Sequence, residues 1–172
     1  MLRRALLAGA SILTVVVVAA APVQAHAIIE LNGADAVAGR TSLMTLEIQH
    51  GCITVADGTQ LVLASVGKPW GRVVPKPVDG WTITAKKLAS GGQQVMWTKQ
   101  GEPQPFGTPV YFPMRVTWPT TPGVYGMSVT QACPSGTTTW DIKDGPATAN
   151  SPSPPLTPLP QVKVLATVHA AS

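Results

Sequence analysis

Alternation is the feature that most limits what this chain can fold into. Across residues 42–50, Met44, Leu46, Ile48 and His50 fall on one side and Leu43, Thr45, Glu47 and Gln49 on the other, because successive side chains of a strand point to opposite faces. Comparable β-rich runs recur at 26–31, 60–66, 81–87, 93–98, 110–118, 123–132, 137–142 and 161–168. Each is bounded by Gly, Pro, Asn or Asp, the residues that turn a chain between antiparallel strands. Beyond residue 25 no long stretch free of Gly and Pro keeps a helical apolar period. Many short strands in a chain of this size predict an all-β fold, an immunoglobulin-like antiparallel β-sandwich.

The first 25 residues stand outside that pattern. Met1, Leu2, Arg3 and Arg4 form a short basic head, 5–21 is an uncharged and mostly apolar run, and Val23-Gln24-Ala25 is a small-x-small ending. These are the three parts of a secretory signal peptide, which predicts cleavage after Ala25 and a periplasmic or secreted mature protein. The expected organisation is therefore a signal peptide (1–25), a sandwich domain (26–144), a Pro-rich arm (145–160) and a terminal strand with its tail (161–172).

The 172 residues are 45% hydrophobic and 12% charged, which excludes a disordered chain, since that class needs low hydrophobicity and high charge. After residue 25 there are ten Lys/Arg and eight Asp/Glu, so the formal charge of +4 falls to 10 − 8 = +2. No basic run is longer than Lys86-Lys87, and there is no aromatic ladder interleaved with basic residues, so no nucleic-acid partner is expected. No second apolar run is long enough for a membrane span after processing.

The arm GPATANSPSPPLTPLP holds six prolines, which cannot donate ladder hydrogen bonds and favour an extended, stiff segment over the surface. It leads into Gln161-Val162-Lys163-Val164-Leu165, expected to dock as an edge strand or else to fray as a tail. Cys52 and Cys133 are the two cysteines. In an exported chain they allow one intramolecular disulfide, the alternative being two buried free thiols.

Processing creates the best chemical lead. Cleavage after Ala25 leaves His26 first, with a free α-amino group beside its imidazole. Amine and ring nitrogen can chelate one ion, and paired nitrogens suit Cu(II), which prefers tetragonal nitrogen and oxygen ligation.

Further along the chain come Ala38-Gly39, His50-Gly51-Cys52, Pro77-Val78-Asp79-Gly80-Trp81, Val95-Met96-Trp97-Thr98, Phe112-Pro113, Gln131-Ala132-Cys133 and Trp140. With His26-Ala27 after the cleavage site, their order and spacing resemble the YcnI-like copper-binding proteins of bacterial envelopes over nearly all of the mature chain. The resemblance implies an immunoglobulin-like sandwich holding one Cu(II) ion through a single-histidine brace: terminal amine, imidazole, a carboxylate and a nearby tryptophan. His26 matches the brace, Trp140 the tryptophan, and Cys52 with Cys133 the subgroup that carries this pair. It further implies a non-enzymatic role in copper acquisition, trafficking or homeostasis, with another envelope copper protein or a transporter as partner.

The family's glutamate has no counterpart, because the corresponding stretch is Thr59-Gln60-Leu61-Val62-Leu63. Candidate replacements are Glu30, Glu47, Asp57, Asp141 and His50. Glu30 shares a face with His26 on a regular strand but lies about 13 Å along it. Asp57 reads as a turn residue before Gly58, Glu47 as a solvent-facing strand residue, and His50 as a structural residue beside the disulfide.

Two other readings are carried. One is a metal-free sandwich interaction module. The other is a copper-dependent polysaccharide monooxygenase, for which His50 is the only plausible second histidine. Trp97 and Trp118 read as core residues rather than a sugar-stacking face. Met44, Met96, Met114 and Met127 are scattered singly and read as core filler.

Overall fold

The computed structural model describes residues 26–52, 57–148, 152–153 and 155–167; the expected signal peptide and His169 lie outside the described residues. Ten strands are described: β1 (Ala27–Glu30), β2 (Thr41–Ile48), β3 (Leu61–Val66), β4 (Val73–Pro75), β5 (Trp81–Lys87), β6 (Gln93–Lys99), β7 (Val110–Thr117), β8 (Gly123–Cys133), β9 (Gly136–Trp140) and β10 (Gln161–Val164). One sheet runs β1-β2-β7-β4, the other β10-β8-β3-β6-β5 with β9 also on β8. Every strand pair is antiparallel. The expected antiparallel sandwich is the fold.

The alternation read from β2 fixes which face goes inward. Met44, Leu46 and Ile48 are buried and stand in register with Met114, Phe112 and Val110 of β7. In the second sheet Val62 is flanked by Trp97 and Gln131, and Ala64 by Val95 and Val129. Phe112 spans the gap between the sheets, with ring centroids 4.7 Å from Trp97 and 5.0 Å from Trp81, the latter edge-on at 89°. Trp70 and Trp118 pack 5.8 Å apart, and the Trp118 indole N–H donates to Ser42 Oγ at 2.7 Å. All five tryptophans are buried. A flat sugar-binding surface built from indoles is therefore not available.

The structure departs from the sequence reading in four places. β4 has only three residues, too few to alternate visibly, and exists because its backbone pairs with Val116, Arg115 and Met114. β2 stops at Ile48, so His50 lies in the connection beyond it rather than on the buried face. Met96 stands opposite Leu63 and Thr84 while Trp97, its neighbour, fills the core; Met96 is half-buried on the outer face and is not core filler like Met44, Met114 and Met127. The Pro-rich arm, expected as a stiff segment over the surface, is in addition hydrogen-bonded to the sandwich at its described end. Leu159 N–H donates to the Ile142 carbonyl at 2.8 Å, and Met127 N–H to that of Pro160. The Leu159 side chain packs over Gly126, so a side chain at 126 would require Leu159 to shift.

Beyond the arm β10 docks on β8 at the sheet edge, as expected, and Leu165 is then stitched to the 36–38 segment by two backbone hydrogen bonds of 2.7 and 2.9 Å. The Cys52–Cys133 disulfide is present, with Cα atoms 6.0 Å apart, inside the roughly 7 Å that a bridge can span. It ties the segment after β2 to the end of β8. Gly51, before it, is required by close approach: a Cβ there would fall 1.8 Å from the Asp57 carbonyl oxygen.

The bridge closes a separation of 81 residues, for which the chain-entropy model gives about 4–5 kcal/mol. The double variant Cys52→Ala/Cys133→Ala should lose up to about that much stability in urea unfolding. The parent, denatured without reductant, should show no reactive thiol. An unchanged urea midpoint would refute the role given to the bridge.

Candidate functional site

β1 is an edge strand whose Ala27 is buried against the core, so alternation turns His26, Ile28 and Glu30 toward the outer face. Its register on β2 sets Ala27 opposite Ile48, Ile28 opposite Glu47 and Glu30 opposite Thr45. The ladder continues one step further, since Gln49 N–H donates to the His26 carbonyl at 3.3 Å. His26 is thus half-exposed with its backbone anchored. Beyond β1 the chain turns through Asn32, at φ 53°, whose amide donates to Thr45 Oγ1 at 3.0 Å and holds the two strands in this register.

Opposite pairing makes Glu47 the diagonal neighbour of both His26 and Glu30, within about 7–8 Å between backbones. Burial pushes the Glu47 carboxyl above the usual carboxylate range; the charge of Glu30 and a hydrogen bond with its carboxyl add to this, and the Gln49 side chain opposes it. Two carboxyl groups that repel each other beside a half-exposed histidine form a place where a cation relieves a cost already present. Nitrogen from His26 and oxygen from Glu47 are donors of the kind Cu(II) accepts. Glu30, four residues along, is about 13 Å from His26, and His26, Glu30 and Glu47 do not form a close ligand group among the described residues.

The remaining candidates fall elsewhere or are already engaged. Asp57 is buried and accepts hydrogen bonds from the Ser135 backbone N–H at 3.2 Å and from the Ser135 hydroxyl. Its carboxylate holds the turn between β8 and β9. With Cys52 and Cys133 it forms the one close group of three potential metal ligands among the described residues, but both sulfurs are spent in the disulfide. Asp141 is exposed just past β9. His50 is half-buried, donates from Nδ1 to the Gly51 carbonyl at 2.8 Å and stacks on Phe106 at 4.9 Å. Its buried Nε2 has no hydrogen-bond partner among the described residues. That is a packed structural histidine.

Trp140 ends β9 opposite Val129 and is wholly buried. Its indole is thus in the core, whereas His26 is on the outer face of the other sheet. Gln131, two residues along from Val129, donates from Nε2 to the His50 carbonyl at 2.7 Å, and His50 adjoins the Gln49 that bonds His26. Gln131 was missed by sequence reasoning. It is fully buried, bridges His50 and Thr59 Oγ1, and so joins the two sheets beneath the candidate site. The available signal was a polar residue at an inward position after Met127 and Val129.

No family model and no curated protein matches the chain. Among solved structures it is similar to an uncharacterized protein from Nocardia farcinica described as having an immunoglobulin-like fold, with a TM-score of 0.62 and 20% identity over 83% of this chain and 99% of that one. It is also similar to a cohesin module from a Clostridium perfringens family 33 glycoside hydrolase, with a TM-score of 0.51 and 12% identity over 84% of this chain and 98% of that one. At such identities the likeness is one of fold. The sandwich is immunoglobulin-like.

Because its carboxyl binds a proton more tightly folded than unfolded, ionised Glu47 opposes folding above its folded-state pKa, and that cost disappears below the unfolded value. Glu47→Gln should therefore be more stable than the parent near pH 7, by no more than about 1 kcal/mol for so accessible a pair. The gap should close as pH falls to about 4. Thermal melts of both proteins at the two pH values check this; a gap that persists in acid counts against the repulsive pair.

Proposed function

We propose that the chain, once cut before His26, is an exported Cu(II)-binding protein that holds one ion at its mature N-terminus for copper acquisition, trafficking or homeostasis in the cell envelope. The observation that carries the reading is the setting of His26: half-exposed, backbone-anchored at an edge strand, and diagonal to Glu47 on the outer face. The α-amine and imidazole of His26 supply the nitrogens. Glu47 supplies the carboxylate for which the family's glutamate has no counterpart, and Trp140 is the tryptophan that the resemblance assigns to the site. The reading is of a carrier rather than an enzyme, handing copper to or from another envelope copper protein or a transporter.

His26→Ala removes the imidazole and opens the chelate ring, leaving a single amine that cannot hold Cu(II) tightly. Isothermal titration of the processed protein should show one equivalent bound, lost in His26→Ala and in a form extended by one residue before His26, which blocks the amine. Both nitrogens must shed protons to bind, so affinity should fall steeply as pH drops from about 8 to about 5. Binding as tight in His26→Ala as in the parent would place the copper site elsewhere and overturn the reading, and no binding by the parent would favour a metal-free interaction module.

A second measurement addresses Trp140. Copper should quench part of the tryptophan fluorescence, and the quenched fraction should shrink in Trp140→Phe. An identical copper-dependent signal in that variant would remove Trp140 from the site.

A further inference from the structure

A second site lies at the opposite edge of the sandwich. Of the ten Lys/Arg after residue 25, Lys68, Arg72, Lys76, Lys86 and Lys87 fall within 68–87, against one acid, Asp79. Sequence spacing keeps these cations apart, but the fold gathers three of them. Arg72 and Lys87 line a cleft of about 700 Å³ together with Gly71, Gly91, Gly92 and Gln93. The stem of Lys68 lies over Gly91, its Cγ 3.2 Å from where a Cβ would stand. Lys86 with Arg72 lines the adjoining hollow of about 240 Å³.

The cleft is held from behind. Gln93 is opposite Lys87 in the β5–β6 register, and its side chain grips the backbone on either side of Arg72: Nε2 donates to the Gly71 carbonyl at 2.5 Å, and Oε1 accepts from Val73 N–H at 3.2 Å. The Arg72 carbonyl itself accepts from Thr117 N–H at 2.8 Å. One glutamine therefore ties together the backbones that carry Arg72 and Lys87, both exposed. Among the described residues neither Arg72, Lys68, Lys86 nor Lys87 has an acidic partner or a side-chain hydrogen bond. Asp79 precedes the far end of β5, roughly 25 Å along the strand from Lys87. Like charges gathered without counter-charge raise the local potential, and a cleft lined by one sign concentrates ions of the other.

We infer that this cleft binds a ligand bearing phosphate groups, with the Arg72 guanidinium as the bidentate contact and Lys87 and Lys68 as point charges around it. A planar guanidinium matches two phosphate oxygens, and ammonium groups complete neutralisation without fixed geometry. The volume admits a diphosphate or a phosphorylated headgroup. The phosphate comes either from a free soluble compound or from a lipid headgroup at a membrane surface.

The test uses the metal-free protein from His26 onward, so that copper chemistry does not enter. Titration with inorganic pyrophosphate, followed by NMR shifts, should move Arg72, Lys87 and Gln93 and weaken as salt rises. Arg72→Gln and Lys87→Gln should each reduce affinity by about tenfold, the scale of one lost charge-assisted hydrogen bond. Lys163→Gln, on β10 at the other edge, is the charge-matched control and should leave affinity unchanged. Co-sedimentation with phosphatidylglycerol vesicles forms the second arm: retention of the parent and loss in Arg72→Gln assign the phosphate to a lipid surface, whereas pyrophosphate binding without retention assigns it to a soluble ligand. Binding in neither arm, or an equal loss in Lys163→Gln, overturns the site. Thermal melts that match the parent establish that both variants are folded.

Discussion

The insertion of Phe112 between Trp97 and Trp81 is the contact on which the sandwich depends. One ring from the first sheet meets two indoles of the second at 4.7 and 5.0 Å, and all three side chains are buried. Aromatic pairs at such distances add roughly 0.5–1.5 kcal/mol beyond the area they bury, and truncating a buried ring of this kind typically costs about 3–5 kcal/mol. More than energy is involved. Phe112 stands opposite Leu46, so seating its ring fixes how β2 and β7 lie over β3 and β6. Every outward-facing residue of the first sheet inherits its position from that seat.

The corner that carries His26 is built outward from this core. Leu46 and Ile48 hold β2 inward, β1 pairs with β2, and Asn32 fixes their register through Thr45. Beneath the same corner the sheets are joined by the disulfide and by Gln131, which satisfies the His50 carbonyl and Thr59 at once. The Nε2 donors of this buried amide are matched, while its Oε1 has no partner among the described residues. The result is a braced platform under edge residues whose own packing is slight.

Charge is arranged across the molecule in a way the net value conceals. The Glu30–Glu47 pair sits at the β1 edge, whereas Arg72, Lys86 and Lys87 sit at the β4 and β5 edges on the far side. A small excess of +2 after residue 25 (ten Lys/Arg against eight Asp/Glu) thus resolves into an acidic corner and a basic cleft. The lysines at the end of β5 also keep an exposed strand edge from pairing with another chain.

Strand identity was legible in the sequence wherever alternation ran for six residues or more, as in β2, β7 and β8, because the period of two is a local property and burial of one face enforces it. The single disulfide was legible because two cysteines allow one pairing. The three-residue β4 was not, since a strand that short has no period and exists only through its neighbour. Nor could spacing show that Glu47 and Glu30, seventeen positions apart, share one face, or that Lys68, Arg72 and Lys87 surround one cleft. Those groupings come from inter-strand register, which depends on the turn at Asn32 and on the grip of Gln93. The sequence by itself determined which faces are apolar; which charged groups meet was decided only by the packing of those faces.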